Sequence, residues 1–140
     1  MTNKELAEAN IRRAFIIFRE AERLYQEGAW NLAVRRCQEA VELALKGALR
    51  YAGLDIPRIH DVGGFLLRNT KRFPGSFRER IPQLASISRR LMREREVSVY
   101  GDEVTGVAPE ELYIEEDAEA ALKEATSVLE ACQKLLQTTP

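Results

Sequence analysis

Apolar residues recur along most of this chain at spacings of three and four, the period of a helix with one buried face. The plainest run is Trp30, Val34, Cys37, Val41, Ala44 and Ala48, widened by Ala33, Ala40, Leu45 and Leu49. A stripe that broad must meet more than one neighbour, which predicts a central helix from Trp30 to a stop near Tyr51, Ala52 and Gly53. Ahead of it, Leu6, Ala9, Ala14, Ile17, Phe18, Ala21, Leu24 and Tyr25 predict a helix over residues 3–27. Thr2 and Glu5 are spaced for a capping box at its start, and Gly28 supplies the freedom to end it. The last run, Ala118, Leu122, Ala125, Leu129, Cys132 and Leu136, repeats the rhythm of the central helix from a start near Glu115. Glu115, Glu116 and Asp117 place negative charge at the positive end of that helix.

Between these long elements the pattern weakens. Residues 54–59 read as a loop, because Pro57 disfavours helical geometry at Ile56. Residues 61–72 predict a short helix presenting Val62, Phe65 and Leu66, with Gly63 and Gly64 making it weak unless packing holds it. Ser76 and Glu79 suggest a second capping box, and Pro82 predicts a kink or a fresh start soon after. Leu84, Ile87, Ser88 and Leu91 carry a medium helix that ends over residues 97–101, and the stretch through Pro109 reads as irregular. The expected architecture is all-α: one domain over residues 1–140, an up-and-down antiparallel four-helix bundle with a short extra helix.

With 140 residues, 45% of them hydrophobic, the chain has material for one core. The net charge of −1 conceals a split. From Arg68 to Arg95 nine basic side chains face only Glu79 and Glu94, whereas from Asp102 to Glu130 ten acids face only Lys123. Such a division either neutralises itself within a bundle or a dimer, or leaves a basic face for a polyanion. Cys37 and Cys132 both lie in apolar helical patterns and predict buried free thiols. With one histidine and no paired cysteine motif, no metal or cofactor is expected. Residues 1–8 lack the apolar core of a signal peptide and no apolar run approaches a membrane span, so a cytoplasmic location without membrane contact is expected.

Two places carry candidate chemistry. His60 lies at a loop-to-helix junction beside Asp61, where it can act as an acid or base, or anchor the loop. The stretch from Arg93 to Asp102 joins charge and hydroxyls where a helix reaches a loop: Arg93 and Arg95 can grip phosphate through paired N–H donors, and Tyr100 can stack or hydrogen-bond. Alternatively these arginines pair internally with an acid such as Glu39 or Glu42, and Tyr100 packs on the bundle.

Trp30, Ala33, Cys37, Glu39, Ala40, Glu42 and Lys46, followed by the junction from Gly53 to Val62, then Arg95 through Tyr100, Gly101 and Asp102, and finally Tyr113 to Ala118, together resemble the HEPN family. The resemblance runs from about Ala14 to Leu136. It implies a helical bundle, commonly a homodimer, that binds a nucleotide or RNA and often works beside a minimal nucleotidyltransferase in toxin-antitoxin systems. No DNA specificity is implied. Many members are metal-independent ribonucleases marked by an arginine, four to six residues and a histidine. Here Tyr100 follows Arg95 after four residues and Arg93 after six, and neither position holds histidine. A tyrosine, with a reference pKa of about 10, is a poor base near neutrality. The expected function is therefore phosphate binding at Arg93, Arg95, Tyr100 and His60 with little or no catalysis. One rival is a divergent ribonuclease in which Arg95 stabilises the transition state and Ser98 or Tyr100 replaces histidine; the other is a partner-binding module without ligand chemistry.

Overall fold

Four long helices carry the buried stripes: α1 (Asn3–Gln26), α2 (Trp30–Tyr51), α4 (Gly75–Tyr100) and α6 (Glu115–Gln137). The computed structural model describes residues 1–138, so the last two positions of the expected 1–140 domain lie outside the described residues. Polar contacts between helices fix their directions. Asn10 Nδ2 donates to the Leu43 carbonyl, at 3.2 Å, and Arg36 pairs with Glu20, which sets α1 antiparallel to α2. Asn31 at the start of α2 donates to the Ser98 carbonyl at the end of α4, so those two are antiparallel as well. Glu94 and Arg90 meet Tyr113 and Glu124 in turn, which runs α6 back along α4. The chain is an all-α bundle, up-down-up-down as its sequence predicts.

The helix-period residues make the core. Val41, Leu45, Leu49, Ile81, Leu84, Val128 and Leu129 are essentially sealed from water; a Leu or Ile side chain so buried contributes about 1.5–3 kcal/mol. The alanines of α2 let α1, α4 and α6 approach it, and both Cys37 and Cys132 are buried free thiols, their pKa pushed up to about 12 by burial. Thr2 accepts the Glu5 N–H at 3.1 Å, which is the threonine half of the expected cap.

Three local expectations are corrected. First, α4 begins at Gly75 with Pro74 at the cap position, so Ser76 lies inside the helix and caps nothing. Pro74 already holds the extended geometry of a cap residue, and its carbonyl accepts the Arg78 N–H at 2.8 Å. Second, Pro82 does not start a new helix: α4 runs unbroken from Gly75 to Tyr100 with Pro82 inside it. Its ring faces solvent while Phe77, Ile81, Leu84 and Ala85 on either side of it are buried, so packing outweighs the missing backbone bond. Third, the single extra helix becomes three short pieces: α3 (Gly63–Arg68), a 3-10 turn (Thr70–Arg72), and α5 (Pro109–Leu112) within the stretch read as irregular. α3 survives its glycines because Gly63 lies against α4, where an added Cβ would stand 2.8 Å from the Ala85 carbonyl oxygen.

Candidate functional site

Because α4 is continuous to Tyr100, the phase of every residue in the candidate stretch is set. Arg89, Arg93 and Tyr100, spaced by four and seven, lie within about 40° of one another on the helix and point to solvent. Tyr100 is 66% exposed. Neither Arg89 nor Arg93 joins an ion pair among the described residues, where Arg90–Glu124 is the one ion pair between the basic and acidic stretches. The internal pairing weighed for Arg93 and Arg95 is made by other residues: Arg35 and Arg36 hold Glu39, while Lys46 and His60 hold Glu42.

Arg95 does not share the face of Arg93. It lies about 160° around the helix, half-buried on the side of α2, where its carbonyl accepts from the Arg35 guanidinium. Ser98 is fully buried, its hydroxyl directed at the Arg95 carbonyl 3.5 Å away and its own carbonyl taken by Asn31 at 3.0 Å. A hydroxyl sealed in that way cannot reach a substrate, which removes Ser98 as a catalytic candidate.

His60 is placed elsewhere again. Its Nδ1–H donates to the Glu42 carboxylate, 3.1 and 3.2 Å from the two oxygens, and this pins the loop to α2. Burial pushes the Glu42 carboxyl up, but hydrogen bonds from Lys46, Gln38 and His60 outweigh it and hold the group below its ordinary range. Next to it, Asp61 accepts from Gly63 N–H at 3.0 Å and from Ser88 Oγ at 2.9 Å, anchoring both α3 and α4. Ser88 lies three turns before Tyr100, roughly 18 Å along the axis, so His60 and Tyr100 occupy different parts of the bundle.

After Tyr100 the chain turns at Gly101, whose φ is +73°. Asp102 and Val107 then pair as an isolated bridge. The Asp102 carboxylate is held low by hydrogen bonding to Thr105 and by the Val104 N–H. Tyr113 donates to Glu94, and burial first, then that carboxylate, pushes its hydroxyl well above its ordinary range. No three His, Cys, Asp or Glu side chains converge to hold a metal ion among the described residues.

The model of the HEPN domain matches residues 7–135. The chain belongs to the HEPN domain family. No curated protein and no solved structure matches it. No helix among the described residues is long and apolar enough to cross a membrane.

Within this HEPN domain, the stretch singled out from sequence divides into two faces: Arg93 and Tyr100 outward, Arg95 and Ser98 inward. Arg89 shares the outward face, and its spacing of four to Arg93 falls within the helix that the sequence already predicts.

Proposed function

We propose that this HEPN domain binds the phosphates of RNA or of a nucleotide on the outward face of α4, with Arg89 and Arg93 as cations and Tyr100 as a stacking surface. The observation that supports it is the shared solvent-facing phase of these three side chains, with neither guanidinium group in an ion pair among the described residues. Unpaired arginines offer forked donors to phosphate oxygens, and an exposed ring offers a base its flat face.

The reading includes little or no cleavage activity. RNA cleavage without metal needs a group to take the 2'-hydroxyl proton and one to protonate the leaving oxygen. The one histidine is held at Glu42, far along the bundle from Tyr100, and Ser98 is sealed. A homodimer and a nucleotidyltransferase-family partner belong to the proposal as associations to be tested by sedimentation and co-purification; the assigned face depends on neither.

The test is binding of ATP and of a short unstructured RNA to the wild type, to Arg89→Ala/Arg93→Ala and to Arg95→Ala, at physiological salt. The double variant should lose most of the binding and Arg95→Ala little. Equal binding by wild type and double variant sinks the assignment. Metal-independent RNA cleavage by the wild type that Tyr100→Phe abolishes would establish the ribonuclease alternative instead.

A further inference from the structure

Tyr100 lines a groove of about 470 Å³ where α4 ends, together with Glu96 and Val97 from the helix, Asp102 and Glu103 from the turn that follows, and Leu112 from α5. Val97 and Leu112 are exposed, so the groove offers an apolar lining beside the aromatic ring. Its charged side chains are three carboxylates, and no cation lines it. A groove of this size, mostly flat and apolar with a few placed polar groups, suits a small ring system.

Carboxylates repel phosphate, so their place beside a ring that stacks on RNA bases calls for a physical reason. The three are not equivalent. Asp102 is spent on its own turn, where its carboxylate accepts the Val104 and Thr105 N–H groups at 3.0 and 3.2 Å. Glu103 stands on that turn, outside any helix. Glu96 stands on α4 itself, four residues before Tyr100, which sets the two about 40° apart with their Cβ atoms about 5–6 Å from each other. It is exposed, and among the described residues it joins no ion pair. One rigid helix therefore fixes this carboxylate relative to both the ring and the outward arginines, at the edge of whatever flat group stacks on Tyr100.

A carboxylate can only accept hydrogen bonds. Of the four RNA bases, guanine alone carries two adjacent donors on its pairing edge, N1–H and the N2 amino group, which meet the two oxygens of one carboxylate. Uracil sets its single N3–H between two carbonyl oxygens, and adenine and cytosine place an unprotonated ring nitrogen beside their amino group, so each of them turns a lone pair toward the carboxylate. We propose that the groove is a guanine subsite of the phosphate-binding face: the base stacks on Tyr100 and sets its pairing edge on Glu96, while the phosphates run back along α4 to Arg93 and Arg89. The inference rests on the phosphate-binding reading of α4 and adds a base to it. Arg93 lies seven residues before Tyr100, roughly 10 Å along the axis, so a base at the ring and a phosphate at the arginine belong to the same nucleotide or to neighbours. The Glu96 charge weakens phosphate attraction for every strand alike, and only guanine recovers the loss. Reading exposed base edges in this way is how proteins choose sequence in single-stranded RNA.

The test is equilibrium binding of GTP, ITP and ATP, and of oligouridine carrying one central guanosine, inosine or adenosine, so that free nucleotide and RNA form separate arms. Inosine keeps N1–H and lacks the N2 amino group. The wild type should bind the guanine form about tenfold or more tighter than the adenine form, the discrimination of one bidentate contact, with inosine between them. A preference in either arm supports the subsite and names the source of the base. Glu96→Gln, a change at an exposed side chain, should remove the preference, whereas Arg89→Ala/Arg93→Ala should weaken all three bases alike. Equal binding of the guanine and adenine forms by the wild type overturns the subsite, as does a preference that survives Glu96→Gln. A preference lost in Glu103→Gln and kept in Glu96→Gln overturns the assignment to Glu96. The two readings fail differently: without the subsite, strands bind regardless of base and the arginine double variant still loses them. Without the phosphate face, the double variant binds as the wild type does, and no binding at all overturns both.

Discussion

Asn31 Nδ2 donates to the Ser98 carbonyl across 3.0 Å of buried interior, tying the first turn of α2 to the last turn of α4. Carbonyls in the last turn of a helix have no partner within it, and a buried one must find a donor elsewhere. Beside it the Arg35 guanidinium serves the Arg95 carbonyl in the same way. These two contacts hold the end of α4, and with it Tyr100, at a fixed height on the bundle.

Asn31→Ala should therefore cost about 1–3 kcal/mol, the penalty of leaving a buried acceptor without a donor. Urea denaturation followed by circular dichroism checks it. A loss within experimental error would mean that the α4 terminus finds another partner.

Gly101 and Gly106 share a φ of +73°, yet their surroundings differ. A Cβ at Gly101 would stand 2.3 Å from the Val107 carbonyl oxygen, while one at Gly106 meets nothing within 4 Å. Gly106→Ala should cost about 1–2 kcal/mol for its left-handed backbone alone, and Gly101→Ala distinctly more, with the Asp102–Val107 bridge disturbed. Equal losses would show that the turn relaxes freely around the added methyl.

Glu42 gives the fold an acid limb. Its carboxyl is held below the ordinary value of 4.5, so the unfolded chain binds this proton more readily than the folded one. The stabilisation is fully present above about pH 4.5 and is lost as pH falls through the lower folded value. Glu42→Gln should thus be less stable than wild type near neutrality, and the gap should narrow on acidification below that point. A gap constant with pH would remove Glu42 as the titrating group.

The outward face of α4 predicts a salt signature. If Arg89 and Arg93 each neutralise one RNA phosphate, then removing either should lower the slope of log affinity against log salt by about 0.7, the counterion yield for a single strand. Tyr100→Ala should weaken binding with the slope unchanged. Slopes equal to that of the wild type in both arginine variants would place the phosphates elsewhere.

Legibility followed the length of the signal. The stripes of α2 and α6 repeat over five or six turns and their helices appear where the pattern puts them. α5 has four residues, too few to show a period. At Ser76 and Pro82 the local signals were sound taken singly, but a cap two residues earlier and buried neighbours on both sides overrode them. At the site the expected helix end over residues 97–101 holds, since α4 stops at Tyr100; Arg93 and Arg95 lie inside that helix, so the turn of about 160° that separates them was legible in the sequence and grouping both with Tyr100 left it out.

The order of apolar residues predicted, without any structure, an antiparallel helical bundle, because burying a three-and-four stripe admits few other solutions. The resemblance to the HEPN family came instead from particular residues on α2, at the Gly53–Val62 junction, from Arg95 to Asp102 and from Tyr113 to Ala118, and the sequence also shows that no histidine follows Arg93 or Arg95 at the ribonuclease spacing. Only the tertiary structure decided that His60 serves Glu42, that Ser98 is sealed, and that apolar and acidic side chains gather at one end of the bundle. Those facts depend on which helix faces lie together across separations of tens of residues, and a local pattern carries no record of that distance.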